Sequence, residues 1–541
     1  MKLSRRKFLA GTGAGAVGLA VGGMGMRDAH GARVALSAAA VAPKVLSHDM
    51  VAPADTDGLM AVADAALAAA KTAGASFADV RLVRLRNQQM SAREDHITGL
   101  SDSESFGLGV RVIVEGTWGF AASYEVSTAA ADRVAKQAAT VAKADGAARG
   151  RAVELAPEPM HRDTWRTPLV KDPFKIPLEH KAALLLDINK AALAVKGAKY
   201  CNSYLHFVNE WKLYVSSEGS VIEQDLIRCW PGLDVTAVSD SGDYESRAHD
   251  AAPRQAGWEY VTGLDLVADA PRIAEDAVKK LAAAEGPVGK LDLVLHPTHL
   301  WLTIHESVGH PTELDRALGY EANFAGTSFC TVDKLGRLKF AADGVTIYAD
   351  RTTPGGLATC GFDDDGVATS RWDLVRKGMF VGYQTTREQA AWIGEKASRG
   401  CAYADSWSSV PFQRMPNVSL TPGEKRLTVD ELIADTKDGV YIVGDGSYSI
   451  DHQRYNFQFG GQMFYEIKKG KLGRPLRHVA YQSNTVEFWS SCDAVCDERS
   501  WWMGGTYYDG KGEPGQVNAV SHGCAPSRFR KVNVLNAGGG A

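Results

Sequence analysis

The chain has 541 residues, 45% of them hydrophobic and 23% charged, a balance that fits folded globular domains and argues against a disordered or membrane-embedded chain. A single hydrophobic core stops growing at roughly 250–300 residues, so this length predicts two large domains. With 60 Lys and Arg against 64 Asp and Glu, the net charge of −4 offers no broad positive field for a phosphate backbone, and nucleic acid is not an expected partner.

The chain opens Ser4-Arg5-Arg6-Lys7-Phe8-Leu9, followed by a weakly apolar Ala/Gly run to about Met26. Paired arginines ahead of such a run match a twin-arginine export signal, which predicts a leader over residues 1–42 and a periplasmic or other extracytoplasmic location. Small residues at 38–42 offer cleavage sites, and Pro43 disfavours a cut directly before it. No later stretch reaches eighteen consecutive apolar residues, so no stable membrane span is expected.

Residues 57–74 are rich in Ala, Leu and Met and end on glycine, as a helix with a C-terminal stop does. Short strands are expected at 79–85, 106–115 and 118–124, the last two divided by Gly116. Ser127 is placed to cap a helix reaching about Asp145, and Pro177 opens another to about Val195. Two strand-like runs between 204 and 226 flank the turn Ser216-Ser217-Glu218-Gly219, and a helix is expected over 271–285. Gly286-Pro287 breaks the pattern and marks the boundary between an N-terminal α/β domain, 43–287, and a mainly β C-terminal domain, 288–541. The predicted class is α+β, with one helix of the second domain carrying the chemistry.

That helix follows a strand at 291–295, with Thr298 as its expected cap, and leads into His305-Glu306-Ser307-Val308-Gly309-His310. Two histidines four apart lie about 40° from each other around an α-helix, whereas five apart they diverge by about 140°. A regular helix therefore aims one imidazole away, leaving one core histidine and one capping histidine. A widened π-like turn brings both to one face. Gly309 lowers the steric cost of such a backbone, and Pro311 cannot continue the ordinary ladder. The eight cysteines form no dense disulfide framework; Cys492 and Cys496, four apart, suit a helix face, a local bridge or a pair of metal ligands.

The segment continues Pro311-Thr312-Glu313-Leu314-Asp315, and with the His-Glu-x-x-x-His core it resembles the TldD family. Other marks stand in the same order: Gly74-Ala75-Ser76-Phe77-Ala78-Asp79, Gly107-Leu108-Gly109-Val110-Arg111, Asp363-Asp364-Asp365-Gly366, and Arg414-Met415-Pro416-Asn417 through Pro422-Gly423. The resemblance spans about residues 57–541. It implies metal-dependent cleavage of peptides or unfolded segments, and a dimer with a related TldE or PmbA-like subunit that lacks the metal motif, or with a second copy. His305 and His310 would be ligands of a divalent metal, zinc being the expected ion, and Glu306 the base acting on a metal-activated water.

The family's third ligand is a cysteine in Gly-Thr-Cys-Gly-Lys-Asp-Gly-Gln, and this chain departs from it with Gly505-Thr506-Tyr507-Tyr508-Asp509-Gly510-Lys511. Anchoring on Gly510-Lys511 puts Asp509 at that position. Two histidines and one carboxylate are a known catalytic set, and the harder carboxylate can alter metal preference. Cys524 and His522 are the rival donors, in that order. Two other functions stay open: a scaffold or partner subunit without productive metal, and a metallohydrolase of non-peptide amides.

Overall fold

The computed structural model describes residues 56–148 and 150–538. The leader expected at 1–42, with Arg5 and Arg6, lies outside the described residues. No described helix is long and apolar enough to cross a membrane.

The first half is built on a seven-stranded sheet whose spine, in spatial order, is Thr117–Ser123, His96–Val114, Phe77–Arg93, Ala198–Ser216 and Val221–Val238. These strands pair antiparallel, while Arg162–Arg166 and Tyr244–Ala248 flank the last of them. Two pairs of helices cover one face. Thr56–Thr72 and Thr128–Asp145 bury an alanine-rich stripe over Val80, Leu82, Val110 and Leu213, and Leu178–Leu193 with Leu266–Leu281 cover Leu205, Phe207 and Val235. Ser127 caps its helix as expected, accepting from Ala130 N at 3.1 Å.

The opposite face carries the alternate residues, and they are charged: Asp79, Arg81, Arg111, Glu210, Lys212 and Arg228 are all buried. The C-terminal half covers this face. Arg111 bridges Asp79 at 2.6 Å and Asp365 at 2.7 Å, Lys212 joins Glu210 at 2.7 Å and Asp364 at 2.9 Å, and Arg228 meets Glu210 at 2.7 Å. Three marks far apart in sequence thus meet in one ion-pair network. Gly366, at φ +76, completes it; a Cβ there would stand 2.7 Å from the Tyr214 ring.

In the second half the main sheet closes on itself. Asp438–Ile450 pairs with Gly289–Leu295, then come Ser527–Asn536, Val479–Asn484 and Asn456–Lys468, which pairs back with Asp438–Ile450. The class is α+β, as expected. All eight cysteines are free thiols and all are buried, and Cys492 begins a strand, Cys492–Val495, rather than a helix face.

Three expectations are corrected. The strands placed at 79–85 and 106–115 run much longer, because their polar outer ends continue as a hairpin paired from Arg84↔Phe106 to Arg93↔His96, with one register shift between Ser91 and Ala92. The helix expected from Pro271 begins at Leu266 and contains that proline. Burial of Leu266, Ala270, Ile273 and Ala277 outweighs the hydrogen bond that a proline removes. Finally, His296 rather than Thr298 caps the helix Pro297–Ile304: its Nδ1 accepts from Thr298 N at 3.3 Å, and Pro297 takes the first helical position, where its missing N–H is no loss.

Candidate metal centre

Every residue of the helix Pro297–Ile304 is buried, and its three polar side chains, Thr298, His299 and Thr303, are hydrogen-bonded to the surrounding strands, which fix it in place. Thr298 Oγ1 accepts from Gly444 N at 3.0 Å, and His299 reaches Gly444 O and the Tyr481 hydroxyl at 3.1 and 3.0 Å. Burial holds the His299 imidazole down at about 4, so the ring is neutral near neutral pH.

At His305 the backbone widens into a π-helix, His305–Gly309, closed by His310 N donating to His305 O. A 3₁₀ turn, His310–Thr312, follows. The carbonyls left over at this end are satisfied by side chains: Gly309 O accepts from Gln384 Nε2 at 2.6 Å, and Val308 O from Thr312 Oγ1 at 2.8 Å. Gly309 has ordinary helical φ and ψ, −55° and −64°. The π-turn therefore does not need glycine for its backbone. It needs the space, since a Cβ at 309 would stand 2.6 Å from Met415 Sδ.

The π-turn puts the His305 and His310 rings 4.6 Å apart, and the strand Trp502–Lys511 brings Asp509 between them. Asp509 Oδ1 is 3.6 Å from His305 Nε2 and 3.6 Å from His310 Nε2, and one donor atom from each residue falls within 4.8 Å of the others. All three residues are buried. Cys524 stands apart, opposite Trp502 on the paired strand, with its thiol against Pro297 O at 3.6 Å.

Hydrogen bonds behind the histidines determine which nitrogen carries the proton. Val418 O, which can only accept, lies 2.9 Å from His522 Nδ1, so that nitrogen is protonated and His522 Nε2 is an acceptor. His305 Nδ1, 2.8 Å from His522 Nε2, must then donate, which turns a bare His305 Nε2 toward Asp509. Burial, and then His305, keep His522 well below the usual imidazole range and so neutral. On the other side His310 Nδ1 donates to Glu313 Oε2 at 2.9 Å, and burial, then the nearby Arg454 guanidinium, hold His310 neutral as well. Burial alone would raise Glu313, but Lys511, 3.1 Å from its Oε1, and then His310 hold it well below the carboxylate range. Arg414 Nη2 donates to the Asp509 carbonyl and stands 3.4 Å from Oδ2, leaving Oδ1 to the histidines.

With both imidazoles neutral, two lone pairs and a carboxylate oxygen thus face one another in a buried space. Acceptors held like this repel unless a cation lies among them. Ligand bonds of about 2.0–2.2 Å in a tetrahedron separate the donors by roughly 3.3–3.6 Å, and both Asp509–histidine separations, 3.6 Å, lie at the upper end of that range. The residues fit a divalent ion.

Glu306, beside His305, is buried, and its Oε2 pairs with Arg454 Nη1. Sequence reasoning missed Arg454, 148 residues away, and took His522 for a rival ligand when it is the hydrogen-bond partner of His305. No sequence spacing links such distant residues. Asn417 joins the same framework: its Oδ1 accepts from Ser521 N at 3.2 Å, next to His522.

Models of one family match three parts of the chain: the PmbA/TldA metallopeptidase domain 1 at residues 78–142, the central domain at 171–285 and the C-terminal domain at 288–535. A protein named metalloprotease from Methanothermobacter thermautotrophicus is 28% identical over 85% of this chain and 95% of its own. A zinc metalloprotease TldD homolog from Saccharolobus solfataricus is 24% identical over 86% and 98%. Among solved structures, TldE from Thermococcus kodakarensis superposes with a TM-score of 0.65 at 19% identity, covering 87% of this chain and 98% of that one. A Thermotoga maritima protein described as a putative modulator of DNA gyrase gives 0.68 at 15%, covering 87% and 99%. At these identities the structural likeness concerns the fold alone.

Proposed function

Because the chain belongs to the PmbA/TldD family of metallopeptidases, we propose that it hydrolyses peptide bonds in peptides or unfolded segments, with a divalent ion held by His305, His310 and Asp509. The observation that carries this reading is the convergence of three bare acceptors at the spacing of a metal's ligands. An ion bound there would act as a Lewis acid toward the scissile carbonyl and lower the pKa of an attacking water. Zinc suits two histidines and a carboxylate, and one relative carries zinc in its name.

The chain's own residues do the rest. His522 and Glu313 orient the two imidazoles, and Arg414 orients Asp509. Glu306 takes a proton from the attacking water and delivers it to the leaving amine nitrogen. The buried walls keep bulk water from competing. The test is hydrolysis of unstructured peptides by the purified protein: cleavage that a chelator stops and zinc restores supports the proposal. Cleavage of small amides alone would transfer it to non-peptide substrates.

We further propose that the chain is exported by the twin-arginine route and pairs with a TldE-like subunit or a second copy. Arg5 and Arg6 support the first and the TldE likeness the second. Changing both arginines to lysine retains the protein in the cytoplasm, because lysine does not reproduce the guanidinium geometry. Unaltered export would remove the claim.

A further inference from the structure

Three sides of the donor group are filled: His522 stands behind His305, Glu313 behind His310 and Arg414 behind Asp509. Glu306 follows His305 in the chain, and its ion-pair partner Arg454 stands near enough for its charge to act on His310.

Arg454 is fixed in position by its loop. Its backbone is left-handed, φ 61°, and Asp451 Oδ1 accepts from Gln453 N at 3.1 Å and Tyr455 N at 2.8 Å. His452 O and Gln453 O accept from Thr327 N and Phe329 N at 2.8 and 2.9 Å, and Thr485 Oγ1 donates to Arg454 O at 2.9 Å. The side chain is largely buried, yet beyond Glu306 its Nε finds no acceptor among the described residues. Nε is shielded, whereas Nη2 has no partner among the described residues and is not so enclosed, so an oxygen acceptor from the substrate can complete the guanidinium at that end.

We propose that Arg454 is a catalytic residue whose guanidinium binds the scissile carbonyl oxygen and takes up the negative charge that develops on it. The inference rests on the peptidase reading above. As the water oxygen bonds to the carbonyl carbon, its proton passes to Glu306 and the carbonyl π pair moves onto the oxygen beside Arg454. When the C–N bond breaks, that pair re-forms the carbonyl, and the amine nitrogen leaves with the electrons of the broken bond and the proton from Glu306. The ion pair with Glu306 keeps the guanidinium beside the base before substrate arrives.

The test uses Arg454→Ala and Arg454→Lys in the full, zinc-loaded protein, with a phosphinic pseudopeptide as a tetrahedral anionic probe. In Arg454→Ala, kcat should fall about 10²–10³-fold, the usual loss for an oxyanion donor, with KM and metal content nearly unchanged. The phosphinic probe, followed by calorimetry, should lose affinity by a similar factor. Wild-type affinity for the probe, or a KM effect without a kcat effect, overturns the proposal. Should the alanine variant fail to fold, Arg454→Lys decides: kcat about tenfold down at unchanged KM supports it, since lysine keeps the charge and loses the fork, and wild-type kcat overturns it. If the wild-type protein itself binds zinc but cleaves nothing, the peptidase reading fails and this inference with it. Wild-type cleavage unaffected by either variant overturns Arg454 alone.

Discussion

The inner face of the seven-stranded sheet and the group around Asp509 are both buried and both charged, and they hold charge in different ways. On the sheet, Arg111, Lys212 and Arg228 touch carboxylates at 2.6–2.9 Å, so each cation already has its partner in the protein. Around Asp509 the distances to both histidines are 3.6 Å, and the facing atoms are all acceptors. A structural ion pair is closed at contact distance, whereas a ligand site keeps a gap of ion size and leaves the cation to come from outside. Burial does not tell the two apart, and neither does residue type. Spacing and proton placement do.

Arg111→Ala leaves Asp79 and Asp365 buried without their guanidinium, and the folded state should lose about 3–5 kcal/mol in urea unfolding. Zinc content of the folded fraction should stay as in the wild type; a stable variant that has lost its metal would erase the distinction. On the site side, Glu306→Gln should keep the metal and reduce peptide cleavage at least about a hundredfold, the scale of a lost general base. Undiminished activity would show that Glu306 is not that base.

A smaller effect follows from acid. Burial alone would raise Glu210, but Lys212 and then Arg228 overturn this and hold it at about 2, below an unfolded value of about 4.3. A lowered carboxylate pKa contributes stability that is complete above the unfolded value and is lost as pH falls through the folded one. Between about pH 4.5 and 2 the wild-type melting temperature should therefore fall more steeply than that of Glu210→Gln, and equal slopes would contradict the pairing. The smallest effect is expected of Cys524→Ala, which should leave metal content and cleavage at wild-type levels because its thiol faces Pro297.

Much of this was readable in the sequence where the signal is local. The five-residue spacing of His305 and His310, with Pro311 after it, required a π-turn if both imidazoles were to share one face, and the π-turn is there. Ser127 announced its cap in the same way. Gly309 was legible as special but for the wrong reason: it makes room for Met415 instead of relaxing the backbone. Asp509, which the structure sets 3.6 Å from both histidines, was singled out through its neighbours Gly510 and Lys511. What stayed hidden depends on long-range packing. Nothing local says that Arg454 will reach Glu306, that His522 will set the tautomer of His305, or that Asp79, Arg81 and Arg111 will be covered by a second half of the chain.

The central claim, that three bare acceptors form one metal site, is tested most directly by zinc content and affinity in the wild type, His305→Ala, Asp509→Ala and Asp509→Cys. The wild type should hold close to one equivalent, His305→Ala and Asp509→Ala should lose it, and Asp509→Cys should keep it with selectivity shifted toward zinc. Full metal content in Asp509→Ala would contradict the assignment of the third ligand, and full content in His305→Ala would contradict the site itself.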